Sequence, residues 1–574
     1  MQRWLIRGKA FLSRKQGSIL SAAFLVMAMI AVSRVLGLVR QRVLVDYFSV
    51  EELSVYFAAF RLPETIFEIL VAGSLASAFI PVFTTLLSSG QAKRAWYVAS
   101  LMQTVILFAF LLFSLAIFIF AFPLAQILAP GFPPAMQETM AGLTRLLLLA
   151  QGFFLLSFFA SSTQEATGRF LVPAIAPLFY NLGIIAGAIF LGHLGVWGAA
   201  IGAVFGAGVH FAFQVPFAQN LGFRFVPYFN LRDPDFRRII KLAAPRIIEL
   251  LVVQITKSVE LFLSTLISVA SYTFLTFANT LQLFPVALFG YSFAKAALPT
   301  MSAHVARNDR ETFAKTFHFT ISQILFFVVP LATVFLVLRI PLVRLAFGTD
   351  RFSWDATVQT GLALSAFTIG TVAQAVLNLV TRSFYALQNT KTPMLASLAT
   401  LSIEAILAFF FIKTLGFGVW SIALAFSLAS LVQLVVLMLI LNKKVAVLTR
   451  DLFLSVGRII FAAAASGLVM YLLLKILDRA VWDKNLSFLG NLGLSLPTGF
   501  ERFVLDTRYT INLIFLTLLV MTVGFLVYFA MSVFFKVREV EILARWVGQI
   551  LKREAPPVPR EATEENGIPL PPGG

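Results

Sequence analysis

The sequence contains no cysteine, and charged residues make up only 13% of its 574 residues. The absence of cysteine excludes disulfide bridges, thiolate metal sites and cysteine nucleophiles. The scarcity of charge, beside a hydrophobic content of 59%, excludes an ordinary soluble globular protein, because such chains carry about 25% charged residues. The composition therefore indicates a polytopic α-helical membrane protein.

Motifs of common enzyme classes are also missing. The chain has no Walker A pattern, no H-E-x-x-H and no G-x-S-x-G, and its four histidines form no ligand cluster with carboxylates. We therefore expect no enzyme, no metal and no cofactor. Because there is no ATP site, any transport must draw on a coupling ion or the membrane potential. The net charge of +18 is better explained by basic cytoplasmic loops and anionic lipid headgroups than by nucleic acid.

Apolar windows of about 20 residues, long enough to cross a bilayer as a helix, recur along the chain. No small-residue cleavage site follows the first window, so we expect it to remain as a helix. Pro and Gly interrupt several windows, which is tolerated where the backbone lines a cavity. We predict an all-α fold of about fourteen transmembrane helices, near residues 18–39, 55–87, 97–122, 141–163, 171–192, 196–219, 242–267, 274–302, 315–338, 356–385, 393–413, 417–441, 455–476 and 511–535.

Lysine and arginine are distributed unevenly among the connections between these windows. The connections at 123–140, 193–195 and 268–273 contain neither, whereas both termini and the alternate connections are basic. The positive-inside rule then places both termini in the cytoplasm, as an even number of spans requires. The chain is therefore expected to cross a membrane many times.

Three motifs recur in the same order, which predicts an internal repeat. Ser74–Pro81 resembles Ser292–Pro299 and Glu165–Pro173 lies opposite Tyr385–Pro393, while Gly195-Val-Trp recurs at Gly418, with offsets of 218, 220 and 223 residues. Six spans separate the copies, so the two repeats have the same orientation and enclose a cavity, as in transporters.

The predicted organisation follows from the repeat and the charge pattern. It comprises a basic amphipathic segment on the membrane surface (1–16), an N-lobe (17–230), a C-lobe (231–445), two added helices (446–540) with an outside loop (477–510), and a disordered cytoplasmic tail (541–574).

Charged residues inside the predicted spans define the candidate site, because such residues rarely face lipid. A positive cavity favours an anionic substrate, and phosphate matches a guanidinium best. The cations expected to bind it are Arg34, Arg40, Arg61, Lys257 and Lys295. The residues expected to gate the cavity or couple an ion are Glu64, Glu68, Arg246, Glu249 and Glu260, and Glu404 is a further intramembrane carboxylate.

Structural alternatives apply to two of these groups. Arg34 could snorkel to the interface or pair with Glu64 or Glu68. The four charges of the seventh span lie on one helical stripe and could form two neutralised ion pairs that merely line water.

The chain resembles the MurJ/MviN family, the lipid II flippases of the multidrug/oligosaccharidyl-lipid/polysaccharide exporter superfamily. The resemblance covers roughly residues 18–535. It is carried by Ser33-Arg-Val-Leu-Gly-Leu-Val-Arg40, Ala59–Pro63, Ala72–Pro81, Ala129–Phe132, Pro173–Pro177 with Asn181, Pro245-Arg246 with Gln254, Phe284-Pro285 and Phe384–Pro393.

This resemblance implies two helical lobes around a cationic cavity and alternating access for an undecaprenyl-pyrophosphate-linked cell-wall precursor. It also implies that Arg34 and Arg40 contact the pyrophosphate or gate the cavity, and that the last two helices hold the lipid tail. Cell-wall synthesis proteins are possible partners.

Three positions depart from the family pattern. Gln41 stands where an Asp is usual, Ser54 replaces an acidic residue, and Thr280 falls where the eighth helix usually has an arginine. As a hypothesis, Lys257 or Lys295 supplies the missing charge. The departures leave open export of another lipid-linked oligosaccharide or a non-transporting scaffold for cell-wall synthesis. An ion-coupled drug antiporter of the same superfamily is a further alternative, but the cationic cavity and the fourteen spans argue against it.

Overall fold

The computed structural model describes residues 19–72, 75–222, 225–478 and 504–540. Within these ranges the chain is helical and has no β-strand beyond an isolated bridge between Asp478 and Leu505. The α-helices in chain order are α1 (Ile19–Tyr47), α2 (Val50–Ala59), α3 (Arg61–Phe67), α4 (Leu75–Ser88), α5 (Ala92–Leu128), α6 (Pro134–Ala166), α7 (Leu171–Phe190), α8 (Val196–Gln219), α9 (Pro234–Thr265), α10 (Ser271–Pro285), α11 (Ser292–Ala306), α12 (Arg310–Val337), α13 (Arg339–Phe347), α14 (Trp354–Ala386), α15 (Lys391–Lys413), α16 (Trp420–Val445), α17 (Arg450–Leu477) and α18 (Thr510–Phe534).

Eleven helical segments of the described chain are long and apolar enough to cross a membrane, so the all-α membrane fold is confirmed. The predicted spans outside this set are 18–39, 55–87 and 242–267. These three contain most of the intramembrane charges. The total of fourteen stays a prediction, and residues 1–16, most of the loop 477–510 and the tail 541–574 lie outside the described residues.

The internal repeat has a structural counterpart in two π-helical segments. One spans Glu68–Ala72 and precedes α4, and the other spans Val286–Tyr291 and precedes α11. They begin at residues 68 and 286, an offset of 218. A π-helix is rare and often marks a functional site. The two copies therefore share a local distortion as well as a sequence motif.

The ends of later helices match in the same way. Helix α6 ends at Ala166 and α14 at Ala386, while α7 begins at Leu171 and α15 at Lys391. Both pairs of positions are 220 residues apart. We refer to α1–α8 as the first half and to α9–α16 as the second half; the exact lobe boundaries remain predictions.

Close packing of α7 against α8 depends on glycine. A Cβ at Gly183 or Gly202 would overlap backbone atoms of the facing helix. Small residues let membrane helices approach closely, where van der Waals contact stabilises their association. This pair forms a rigid part of the first half.

The loops without lysine or arginine gather at one end of the bundle. Arg351 Nη1 donates to the carbonyl oxygen of Tyr47 at 2.6 Å, and the ring of Tyr47 lies against Gly192. A Cβ at Gly131 would overlap the Thr265 carbonyl. We call this the predicted outer end. At the opposite, predicted inner end, Arg94 pairs with both Asp233 and Asp235 at 2.7 Å.

Candidate functional site

Arg61 is the most buried of the predicted cations. It begins α3, and its side chain is 4% exposed. Its Nη2 donates to Oε1 of Gln254 on α9 and to Oγ1 of Thr65 at 3.3 Å, and the charge of the guanidinium acts on the phenol of Tyr272. The buried Nε–H has no hydrogen-bond partner. Because an unsatisfied buried donor is costly, this N–H is available to an anion.

Arg40 forms a second cationic position. Its side chain is half-buried on α1, and its buried Nε–H is likewise without a partner. The charges of Arg40 and Glu64 both act on the buried phenols of Tyr56 and Tyr180. Arg40 rather than Arg34 is therefore the first-helix arginine that the structure places beside Glu64.

The charges of α9 lie close to Arg61. Lys257 and Arg61 both act electrostatically on Glu260, which in turn acts on Glu404 of α15. Glu404 is 4% exposed. Arg61, Lys257 and Glu260 thus form one group.

Five predicted residues are not assigned to either of these two groups. Arg34 and Lys295 are exposed, and Lys295 interacts electrostatically with Glu165 of the first half. The side chains of Arg246 and Glu249 lie outside the described residues. Glu68 is half-buried at the start of the first π-helical segment. The sequence grouped five cations in one cavity, whereas the structure places Arg40 and Arg61 in two groups of buried and half-buried residues and leaves Arg34 and Lys295 exposed.

The tyrosines of the site are residues that the sequence analysis did not name among its candidates. Tyr56, Tyr180 and Tyr272 carry phenols on which the charges of Arg40 or Arg61 act. A signal was present: a tyrosine in an otherwise apolar span carries a hydroxyl that needs a polar neighbour. Among the described residues no group of three or more metal-ligating side chains occurs.

The three departures from the family pattern form neutral contacts between the halves. Gln41 Nε2 donates to Oγ1 of Thr280 at 3.2 Å, and the hydroxyls of Ser54 and Thr273 lie 2.8 Å apart. Thr280 is therefore bonded to another family departure. Whether Lys257 or Lys295 replaces the arginine charge remains a hypothesis.

These contacts belong to a larger closure at the predicted outer end, which we call the outer latch. The hydroxyl of Thr273 donates to the carbonyl oxygen of Val50 at 2.8 Å, and its N–H donates to Oγ of Ser54 at 3.1 Å. Arg42 Nη1 donates to the carbonyl oxygen of Leu345 at 2.7 Å. The main contacts of α1 and α2 with the second half lie here, on α10 and α13. The described structure is therefore closed at the predicted outer end.

Two solved structures share this helix arrangement. An inward-facing multidrug resistance MATE family transporter of the MOP superfamily aligns with a TM-score of 0.60 and 15% identity, over 73% of this chain and 98% of the transporter. A structure of the lipid II flippase MurJ in an inward closed conformation aligns with a TM-score of 0.71 and 22% identity, over 89% of this chain and 99% of that one. The chain therefore has the same polytopic helical fold as these two proteins.

Sequence comparison identifies the family of the chain. The family model described as lipid II flippase MurJ matches residues 45–491. A Vibrio cholerae protein named as a probable lipid II flippase MurJ is 26% identical over 503 residues, which cover 84% of this chain and 94% of that protein. The chain belongs to the lipid II flippase MurJ family.

Proposed function

We propose that this protein moves lipid II, the undecaprenyl-pyrophosphate-linked peptidoglycan precursor, from the inner to the outer leaflet of the bacterial cytoplasmic membrane. Membership of the MurJ family supports the substrate. The observation that carries the proposal is the pair of arginines, Arg40 and Arg61, whose buried Nε–H donors have no partner. Both termini are proposed to lie in the cytoplasm, and the protein acts as a transporter rather than an enzyme.

The two arginines would lower the cost of moving a charged pyrophosphate through the membrane. A pyrophosphate carries negative charge that hydrocarbon solvates poorly, and even one charged side chain costs about 2.5–3.5 kcal/mol at the bilayer centre on insertion scales. A guanidinium offers planar N–H donors that match phosphate oxygens. Arg40 and Arg61 would replace part of the hydration shell of the pyrophosphate.

The outer latch supports alternating access as the mechanism. With the halves bonded at the predicted outer end, a substrate can reach the arginines only from the inner side or laterally. Breaking the latch would open the cavity outward. We propose that a coupling ion or the membrane potential biases this exchange and that Glu260 and Glu404 take part, since one charge crossing 100 mV is worth about 2.3 kcal/mol.

The direct test is flipping of fluorescent lipid II in proteoliposomes. We expect Arg61→Ala and Arg40→Ala each to reduce the rate at least tenfold, because loss of a charge-assisted hydrogen bond costs about 1.5–3 kcal/mol. Arg61→Lys retains the charge and should recover part of the activity.

Arg145→Ala is the matched control. Arg145 also lies in a membrane helix, but its Nε donates to the carbonyl oxygen of Phe118 at 2.9 Å and its guanidinium packs on the Phe118 ring. Rates near wild type for all three alanine variants would refute the assignment of the site. No flipping by folded wild-type protein would favour another lipid-linked oligosaccharide or a scaffold role.

A further inference from the structure

A separate cavity with cationic walls lies at the predicted outer end, which we call the outer cleft. It has a volume of about 240 Å³ and lies between the α13–α14 turn and the start of α18. The residues that give it polar character are Arg344, Arg508, Thr349, Thr357, Thr507 and Thr510. None of them belongs to the arginine site described above.

The charges around the outer cleft leave one guanidinium without a counterion. Arg508 Nε lies 3.6 Å from Asp506 Oδ1, and Asp350 is the one carboxylate among the lining residues. Arg344 has no carboxylate within 4.0 Å among the described residues, and its guanidinium lies 5.8 Å from the centre of the Trp354 ring. Its N–H donors are therefore directed to a cavity rather than to an ion pair.

Backbone dipoles add to this field. Helix α14 begins at Trp354 and α18 begins at Thr510, and both residues line the cleft. The N-terminus of a helix carries partial positive charge and exposes N–H groups. Two helix starts, a guanidinium without a counterion and the hydroxyl of Thr510 together form a site for a compact oxyanion.

The position of the cleft along the membrane normal indicates the source of that anion. Trp354, Tyr509 and Ile511 are 52%, 67% and 80% exposed. Exposed Trp and Tyr beside an exposed aliphatic residue are typical of the level of lipid headgroups. An anion at this level is the phosphate of a lipid.

We propose that the outer cleft binds the phosphate or diphosphate group of a lipid in the outer leaflet. This inference rests on the proposed function for its orientation, and it assigns the cleft to holding the phosphorylated head after translocation. Arg344 binds the phosphoryl oxygens, and the hydroxyl of Thr510 at the start of α18 donates a further hydrogen bond.

The test is binding of farnesyl diphosphate to purified full-length protein in the Arg61→Ala background, which weakens the central site. The readout is the change in Trp354 fluorescence, identified by its loss in Trp354→Phe. Arg344→Ala should weaken binding about tenfold or more, Arg344→Lys should weaken it less, and Arg339→Ala should leave it unchanged. Arg339 lies on the same helix and donates to the Leu336 carbonyl oxygen at 3.1 Å.

Two other outcomes of the binding experiment would contradict the proposal. Equal affinity for inorganic pyrophosphate, with the same dependence on Arg344, would show a site for free phosphate and overturn the lipid assignment. An affinity for farnesyl diphosphate that Arg344→Ala leaves unchanged would overturn the assignment of the site itself. Failure of the proposed function is distinguishable, because it would appear in the flipping assay while diphosphate binding at the cleft persisted.

Discussion

The outer latch should set the balance between the inward-facing and outward-facing states. Thr273 is completely buried, and its hydroxyl bonds both Ser54 and Val50. Thr273→Val keeps the shape of the side chain and removes both bonds. Hydrogen bonds between membrane helices average about 0.6 kcal/mol, and buried ones in proteins reach about 1.5 kcal/mol. Losing two should cost the closed state about 1–2 kcal/mol, a five- to thirtyfold shift towards opening.

Thr276→Val provides the matched control for this experiment. Thr276 lies one turn further along α10, and its hydroxyl bonds the carbonyl oxygen of Tyr272 at 2.7 Å, within the same helix. It does not connect the halves. A valine at this position should leave the balance between the states unchanged.

Spin labels can measure the shift directly, because the chain has no cysteine of its own. Asp46→Cys and Asp355→Cys place labels on exposed positions of the two halves at the predicted outer end. Electron–electron resonance should show a longer distance whose population rises five- to thirtyfold in Thr273→Val. Identical distance distributions for Thr273→Val and Thr276→Val would refute the assignment of the latch.

Two further predictions concern stability. Gly202→Ala should lower the unfolding temperature, since its Cβ would overlap the backbone of α7 and overpacking costs about 1–3 kcal/mol. Gly208→Ala should be tolerated, because its Cβ would meet only the Phe153 ring at 3.7 Å or more. Similar melting of both variants would contradict the close approach of α7 and α8. Hydrogen bonds from Thr312 hold the pKa of Asp309 below its ordinary value, so its cap on α12 stabilises the protein above about pH 4 and is lost as the pH falls through the lowered pKa. Melting scans should show Asp309→Ala less stable than wild type at neutral pH, with the gap closing in acid, and a gap that widened there would contradict this sign.

The sequence predicted much of the helical order because membrane spans are set by runs of apolar residues. The predicted span 356–385 corresponds to α14, Trp354–Ala386, and 315–338 overlaps α12, Arg310–Val337, in all but its last residue. The repeat could be predicted as well, since the motif at Ser74 recurs at Ser292 with an offset of 218 residues. The π-helical geometry of the segments that precede α4 and α11 could not be predicted, because local backbone hydrogen bonding depends on tertiary packing.

The site was less predictable than the fold. Charge inside apolar spans identified Arg40, Arg61, Lys257 and Glu260 as candidates. The sequence did not show that Gln41 and Thr280, 239 residues apart, bond each other. The packing of the two halves determines which residues so distant in the chain come into contact. The periodicity within one helix carries no information about that packing.

The central claim is that this chain flips lipid II by means of Arg40 and Arg61. Its most direct test is rescue of a bacterium depleted of its own lipid II flippase, measured as lipid II exposed on the outer leaflet. The account predicts that wild type and Arg145→Ala restore exposure and that equally expressed Arg40→Ala and Arg61→Ala do not. Failure of well-expressed wild type to restore exposure would contradict the function, and full rescue by both arginine variants would contradict the site.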